Sequence, residues 1–107
     1  MTHIERAQSD FAEGRRAAQR LFLVAEQDTS ASRVAANFLL AWWNAGNLGG
    51  FDPTDLWLLD HDNTNDVVRL ISLIGQTRIY PDAFVPRERV VTLVKAWRPR
   101  VGRGPED

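Results

Sequence analysis

The sequence predicts an all-α domain, a compact bundle of four main helices and one short helix packed around a central buried helix at about residues 30–45. Three observations carry this. Apolar residues recur at helical spacing in four separate segments. No segment sustains the two-residue alternation of a strand. The stretch Ala35–Asp60 (AANFLLAWWNAGNLGGFDPTDLWLLD) holds three of the four tryptophans and reads as a nearly all-round apolar helix, a glycine-rich stop and a proline-marked restart.

The elements follow in order. Thr2 and Glu5 have capping-box spacing and open the first helix, with Ser9 as an alternative start. Phe11, Gly14, Ala18, Phe22 and Ala25 form its stripe, and Gly14 costs the helix about 1 kcal/mol relative to alanine. The block Leu21–Val24 points around more than one side, which suits a central position or cover by another chain. Asp28 or Thr29 caps the second helix, whose stripe is Ala31, Val34, Ala35, Phe38, Ala41, Trp42 and Ala45. Leu39, Leu40 and Trp43 fill most of the remaining circumference, so this helix is expected to be enclosed. Gly46 is expected to end it.

A loop at 47–50 leads to a short helix. Asp52 is its N-cap, Pro53 takes the first turn where a missing N–H costs nothing, and Asp55 favours the positive helix end. Leu56, Trp57 and Leu59 are expected to bury it. Residues 62–64 are expected to cap the next helix, with Val67, Leu70, Ile71 and Ile74 inward and Gly75 as its stop. Ile79–Phe84 reads as a packed-down turn. Pro86 opens the last helix, with Val90, Leu93, Val94 and Trp97 inward, and Pro99 ends it. Residues 100–107 read as a flexible tail on a single domain of residues 1–107.

The bulk properties agree with one globular domain: 107 residues, 44% hydrophobic, no cysteine and a net charge of −1. The absence of cysteine excludes disulfides and thiolate metal sites and fits the cytoplasm. No apolar signal segment and no membrane-length run is present, so neither secretion nor membrane insertion is expected. Charge is unevenly spread. Positions 34–68 carry five aspartates and no lysine or arginine, whereas Arg69–Arg103 carries eight basic residues against Asp82 and Glu88.

No catalytic, cofactor-binding or metal constellation emerges, and the expectation is a non-enzyme. Asp60-His61-Asp62 lacks the further ligands a metal needs, and helix capping accounts for it. The glycines at 46–50 follow a helix and lack the lysine of a phosphate loop. The surface that stands out is aromatic and acidic. Adjacent Trp42 and Trp43 sit about 100° apart on a helix, so either all four tryptophans pack into the core or one of this pair faces the rim beside Asp52, Asp55 and Asp60. Trp43, Asn44, Phe51, Asp52, Asp55, Trp57, Asp60 and Tyr80 are therefore the candidate partner-binding residues, suited to a basic protein. The Leu21–Val24 block also allows a homodimer. The alternative is a nucleic-acid accessory protein using Arg87, Arg89, Lys95, Arg98 and Arg100 on and after the last helix.

The run Phe38-Leu39-Leu40-Ala41-Trp42-Trp43-Asn44-Ala45-Gly46, then Gly50-Phe51-Asp52, Asp55-Leu56-Trp57 and Tyr80-Pro81-Asp82, resembles an uncharacterised family of small proteobacterial proteins carried on integrative, conjugative or phage-like elements. The similarity covers about residues 30–98. That family has no assigned activity to place on any residue. The resemblance implies a bacterial cytoplasmic accessory protein that acts by binding host proteins.

Overall fold

The computed structural model describes residues 2–102. Among these residues it is a helical bundle without strands: α1 (His3–Ala25), α2 (Ser30–Leu48), a 3-10 turn (Pro53–Leu58), α3 (His61–Gln76), a second 3-10 turn (Pro81–Ala83), α4 (Arg87–Trp97) and the short α5 (Pro99–Gly102). The caps follow side-chain chemistry. Thr2 accepts from the Glu5 amide at 3.1 Å and Thr29 from the Ser32 amide at 3.0 Å. The α3 cap is Asp60, one residue before the helix and upstream of the expected 62–64, and it accepts from the Asn63 amide at 2.8 Å.

Both α2 and α3 pack on α1. The α1–α3 pairing is antiparallel, fixed by Arg20 with Asp66 towards one end and Arg69 with Glu13 towards the other. The short link at 26–29 also turns α2 antiparallel to α1. Hence α2 and α3 start at the same end of the bundle, and residues 49–60 run back between them. Gly14 is what lets α1 and α3 approach: a Cβ there would collide with the Leu73 side chain. The glycine that weakens α1 as an isolated helix leaves room for the Leu73 side chain.

The core comprises Ala17, Ala18, Leu21 and Phe22 of α1, Val34–Ala36 and Phe38–Leu40 of α2, and Val67, Leu70 and Leu73 of α3. Phe84, Val90 and Leu93 close it. The expected enclosure of α2 holds through Leu40 and then fails, because residues 44–47 are exposed. The helix does not stop at Gly46. It kinks at Asn44 (φ −165°, ψ 80°) and makes one further turn to Leu48. Gly49, at φ 96°, supplies the conformation that ends it.

Other boundaries shift for local reasons. Gly75 lies inside α3, which closes when the Thr77 amide donates to the Leu73 carbonyl. On α3 it is Leu73 that faces inward, while Ile71 is 49% exposed. The block Leu21–Val24 divides, with Leu21 and Phe22 buried and Leu23 exposed. Pro86 stands one residue outside α4, and residues 100–102 form a helical turn with Pro99. Residues 103–107 of the expected tail lie outside the described residues.

Candidate functional site

Trp42 and Trp43 separate as the helical 100° step requires. Trp42 turns inward beside Phe38 and Phe84, and its indole N–H donates to the Ile79 carbonyl at 2.9 Å. That bond fixes the segment before the second 3-10 turn. Trp43, also partly buried against the core, meets the Tyr80 ring edge-on, with centroids 6.2 Å apart and planes at 87°. The Arg87 guanidinium lies over the Trp43 ring, 5.3 Å from its centroid. Trp43, Asn44, Tyr80, Asp82 and Arg87 line an open cleft of about 650 Å³.

A second cleft of about 590 Å³ adjoins it and shares Ala41, Trp42 and Tyr80. It lies between the C-terminal parts of α2 and α3, with Phe38 and Ile74 on its walls. Phe51 lines it too and packs edge-on to Phe38, centroids 5.5 Å apart. Arg78 and Ile79 also line it. The walls of this cleft are mostly apolar.

The third feature is the edge of the first 3-10 turn. Asp52 caps it, accepting from the Thr54 amide at 3.0 Å and the Thr54 hydroxyl at 2.8 Å. These hydrogen bonds, the amide first, hold the Asp52 carboxyl below its usual range. Asp55 lies 3.9 Å from Arg33. Trp57 is 85% exposed and Leu58 51% exposed, against the expectation that Trp57 buries this element. Six residues of tight 3-10 geometry have three-fold rather than 3.6-fold periodicity, so Leu56 and Leu59 face the bundle and the pair between them faces out.

The predicted partner-binding residues therefore fall into two groups. Trp43, Asn44 and Tyr80 meet at the first cleft. Asp52, Asp55, Trp57 and Asp60 belong to the 3-10 edge, and Phe51 links the two as a wall of the second cleft. Arg33 and Trp43 are ten residues apart on α2, which puts these groups about 15 Å apart. Tyr80 is 59% exposed and not packed down, whereas Pro81 and Phe84 of the same turn are buried.

The predicted basic set also divides. Arg89 forms a two-pronged pair with Glu26 at 2.7 and 2.8 Å, which raises its pKa, and stacks over Phe22. Arg98 donates to the Leu48 carbonyl, the Trp97 carbonyl and Asn37. Both are committed to the fold. Arg87, Lys95 and Arg100 are exposed. Sequence reasoning did not single out Arg78 or Asp82 as cleft residues. Their signal was position alone, one beside each end of the Ile79–Pro81 segment. His61 is exposed at the first residue of α3. Among the described residues no group of three or more His, Asp or Glu is placed to hold a metal ion, and no helix is long and apolar enough to cross a membrane.

Residues 15–98 match the model of a family of unknown function, DUF7673, and the chain belongs to that family. The match spans both clefts, the 3-10 edge and Arg98, and leaves out the first turns of α1. No curated protein and no solved structure matches the chain.

Proposed function

We propose that this protein is a non-catalytic binding module that docks another protein on the edge built by the first 3-10 turn. The observation that carries this reading is Trp57, 85% exposed beside the half-exposed Leu58. A tryptophan left in water forgoes the burial of roughly 150–250 Å² of surface that such a ring offers. Exposed apolar groups rimmed by charge suit an interaction site, and tryptophan is a frequent interface anchor. Asp52 and Asp60 flank it in sequence, while Asp55 is paired with Arg33, and the two further carboxylates favour a basic partner and speed its approach.

The resemblance to proteins of bacterial mobile elements supplies the setting we propose, an accessory protein acting in the cytoplasm on a host protein. The test is capture from bacterial lysate by tagged protein, comparing wild type with Trp57→Ala, Asp52→Asn and Asp55→Asn. A partner retained by wild type and lost with Trp57→Ala is the expected result. Unchanged capture by all three folded variants rejects the reading. A gel shift across a salt series examines the nucleic-acid alternative through Arg87, Lys95 and Arg100. No shift is expected even at low salt.

A further inference from the structure

We infer that the cleft between α2 and α3 binds a small amphipathic carboxylate, an apolar chain or ring that carries one anionic head. The site is separate from the Trp57 edge, and the inference does not depend on the protein-binding reading.

The walls are apolar and held in place. Phe38, Ala41 and Trp42 of α2 meet Ile74 of α3, Phe51 of the returning segment and Ile79. The cavity they line is about 590 Å³, within the usual range for a small-molecule site. Trp42, Phe51, Ile74 and Ile79 pack on the core yet keep part of their surface open. Two contacts fix the aromatic walls. The Trp42 indole N–H donates to the Ile79 carbonyl at 2.9 Å, and Phe38 meets Phe51 edge-on at 5.5 Å. Indole has one donor and no acceptor, so Trp42 has only hydrocarbon surface left to offer a ligand. Such a cavity suits an apolar ligand body.

Charge selects the head group. Thr77, Arg78 and Tyr80 are the exposed residues of the lining, and Arg78 is the one charged residue among the described residues there. Every ion pair among the described residues uses another arginine. Arg98, which also lacks an ion pair, is engaged by two carbonyls and Asn37. Arg78 has no such partner among the described residues. Asp82, the acidic residue nearest to it in sequence, lines the neighbouring cleft instead. A guanidinium with its charge unanswered beside an apolar cavity favours an anion over a neutral or cationic head. Its planar fork matches the two oxygens of a carboxylate. One guanidinium balances one negative charge, which suits a carboxylate better than a dianionic phosphate ester. The Thr77 and Tyr80 hydroxyls are further donors on the rim.

The probe is sodium octanoate, titrated into the isotope-labelled full chain. The readout is the indole N–H resonance of Trp42, assigned by its loss in Trp42→Phe. Octanamide and octylammonium keep the chain and change the head, and butyrate keeps the head and shortens the chain. Octanoate is expected to shift the Trp42 resonance saturably while that of Trp57 stays in place. It is expected to bind about fivefold tighter than octanamide, the size of an exposed ion pair. Octylammonium and butyrate are expected to bind more weakly than octanoate. Arg78→Gln changes an exposed side chain, so the variant should fold, and it should bring octanoate down to the affinity of octanamide. Four results overturn the inference: no saturable shift at Trp42, equal affinity for octanoate and octanamide, a preference for octanoate that survives Arg78→Gln, or shifts at Trp57 that match those at Trp42. Loss of lysate capture with Trp57→Ala bears on the protein-binding reading alone.

Discussion

Leu48 and Asn37, eleven residues apart along α2, are held by one guanidinium. Arg98 donates from Nε to the Leu48 carbonyl at 2.8 Å and from Nη2 to Asn37 Oδ1 at 2.7 Å. In a straight helix these positions would lie about 16 Å apart. The kink at Asn44 folds the last turn back, buries Leu48, and lets Arg98 latch the turn to the body of the helix. The same kink sets the rim of the Trp43 cleft.

Removing the latch should therefore cost stability and local order together. Arg98→Ala is expected to destabilise by about 1.5–3 kcal/mol, the range for hydrogen bonds made by a charged group. Hydrogen exchange at residues 45–48 should quicken beyond the global change. The exposed Lys95→Ala should stay within about 0.5 kcal/mol of wild type in urea unfolding.

Arg20 and Asp66 predict an asymmetry. Asp66 is only 6% exposed and accepts from Arg20 Nε at 2.9 Å and Nη2 at 2.7 Å. Arg20→Ala leaves a buried carboxylate without its partner and is expected to cost about 2 kcal/mol, less than for a fully buried pair because Arg20 is half exposed. The double variant Arg20→Ala/Asp66→Leu should be more stable than Arg20→Ala alone. Urea unfolding of both variants measures this.

Gly14→Ala should destabilise although alanine is the better helix former. The propensity gain is about 1 kcal/mol, and the displaced Leu73 side chain costs about 1–3 kcal/mol as overpacking. The deficit should shrink in a Leu73→Ala background, read as a coupling energy in a thermal double-mutant cycle.

The tryptophans should respond differently to substitution. Trp57→Ala is expected to leave stability within about 0.5 kcal/mol while removing most of the iodide-quenchable fluorescence. Trp42→Phe orphans the Ile79 carbonyl and should cost about 1–3 kcal/mol.

Two carboxylates contribute to the acid limb of stability. Glu13 is held low by its hydrogen bond to Arg16 and by the charges of Arg16 and Arg69, and Asp52 by Thr54. Both ionise more readily folded than unfolded. Their contribution is full above the unfolded values near pH 4 and is lost as pH falls through the lower folded values. Asp52→Asn should flatten the acid limb of a plot of urea midpoint against pH.

The sequence by itself determined the helices and most of their inward faces, because a 3.6-residue apolar period and capping side chains act within a few residues of one another. Thr2, Asp52, a cap at Asp28 or Thr29, and the stripe through Val34, Ala35 and Phe38 were legible for that reason. It also set apart the Trp/Asp stretch as surface out of the ordinary. Only the tertiary structure decided what depends on distant partners. Gly14 is there for Leu73, Arg98 serves Asn37 and Leu48, and Arg89 serves Glu26. The kink at Asn44, beside that latch, borders the Trp43 cleft. Contacts between residues dozens of positions apart leave no periodic trace, so no local pattern could show that Trp57 faces solvent while Trp42 closes the core.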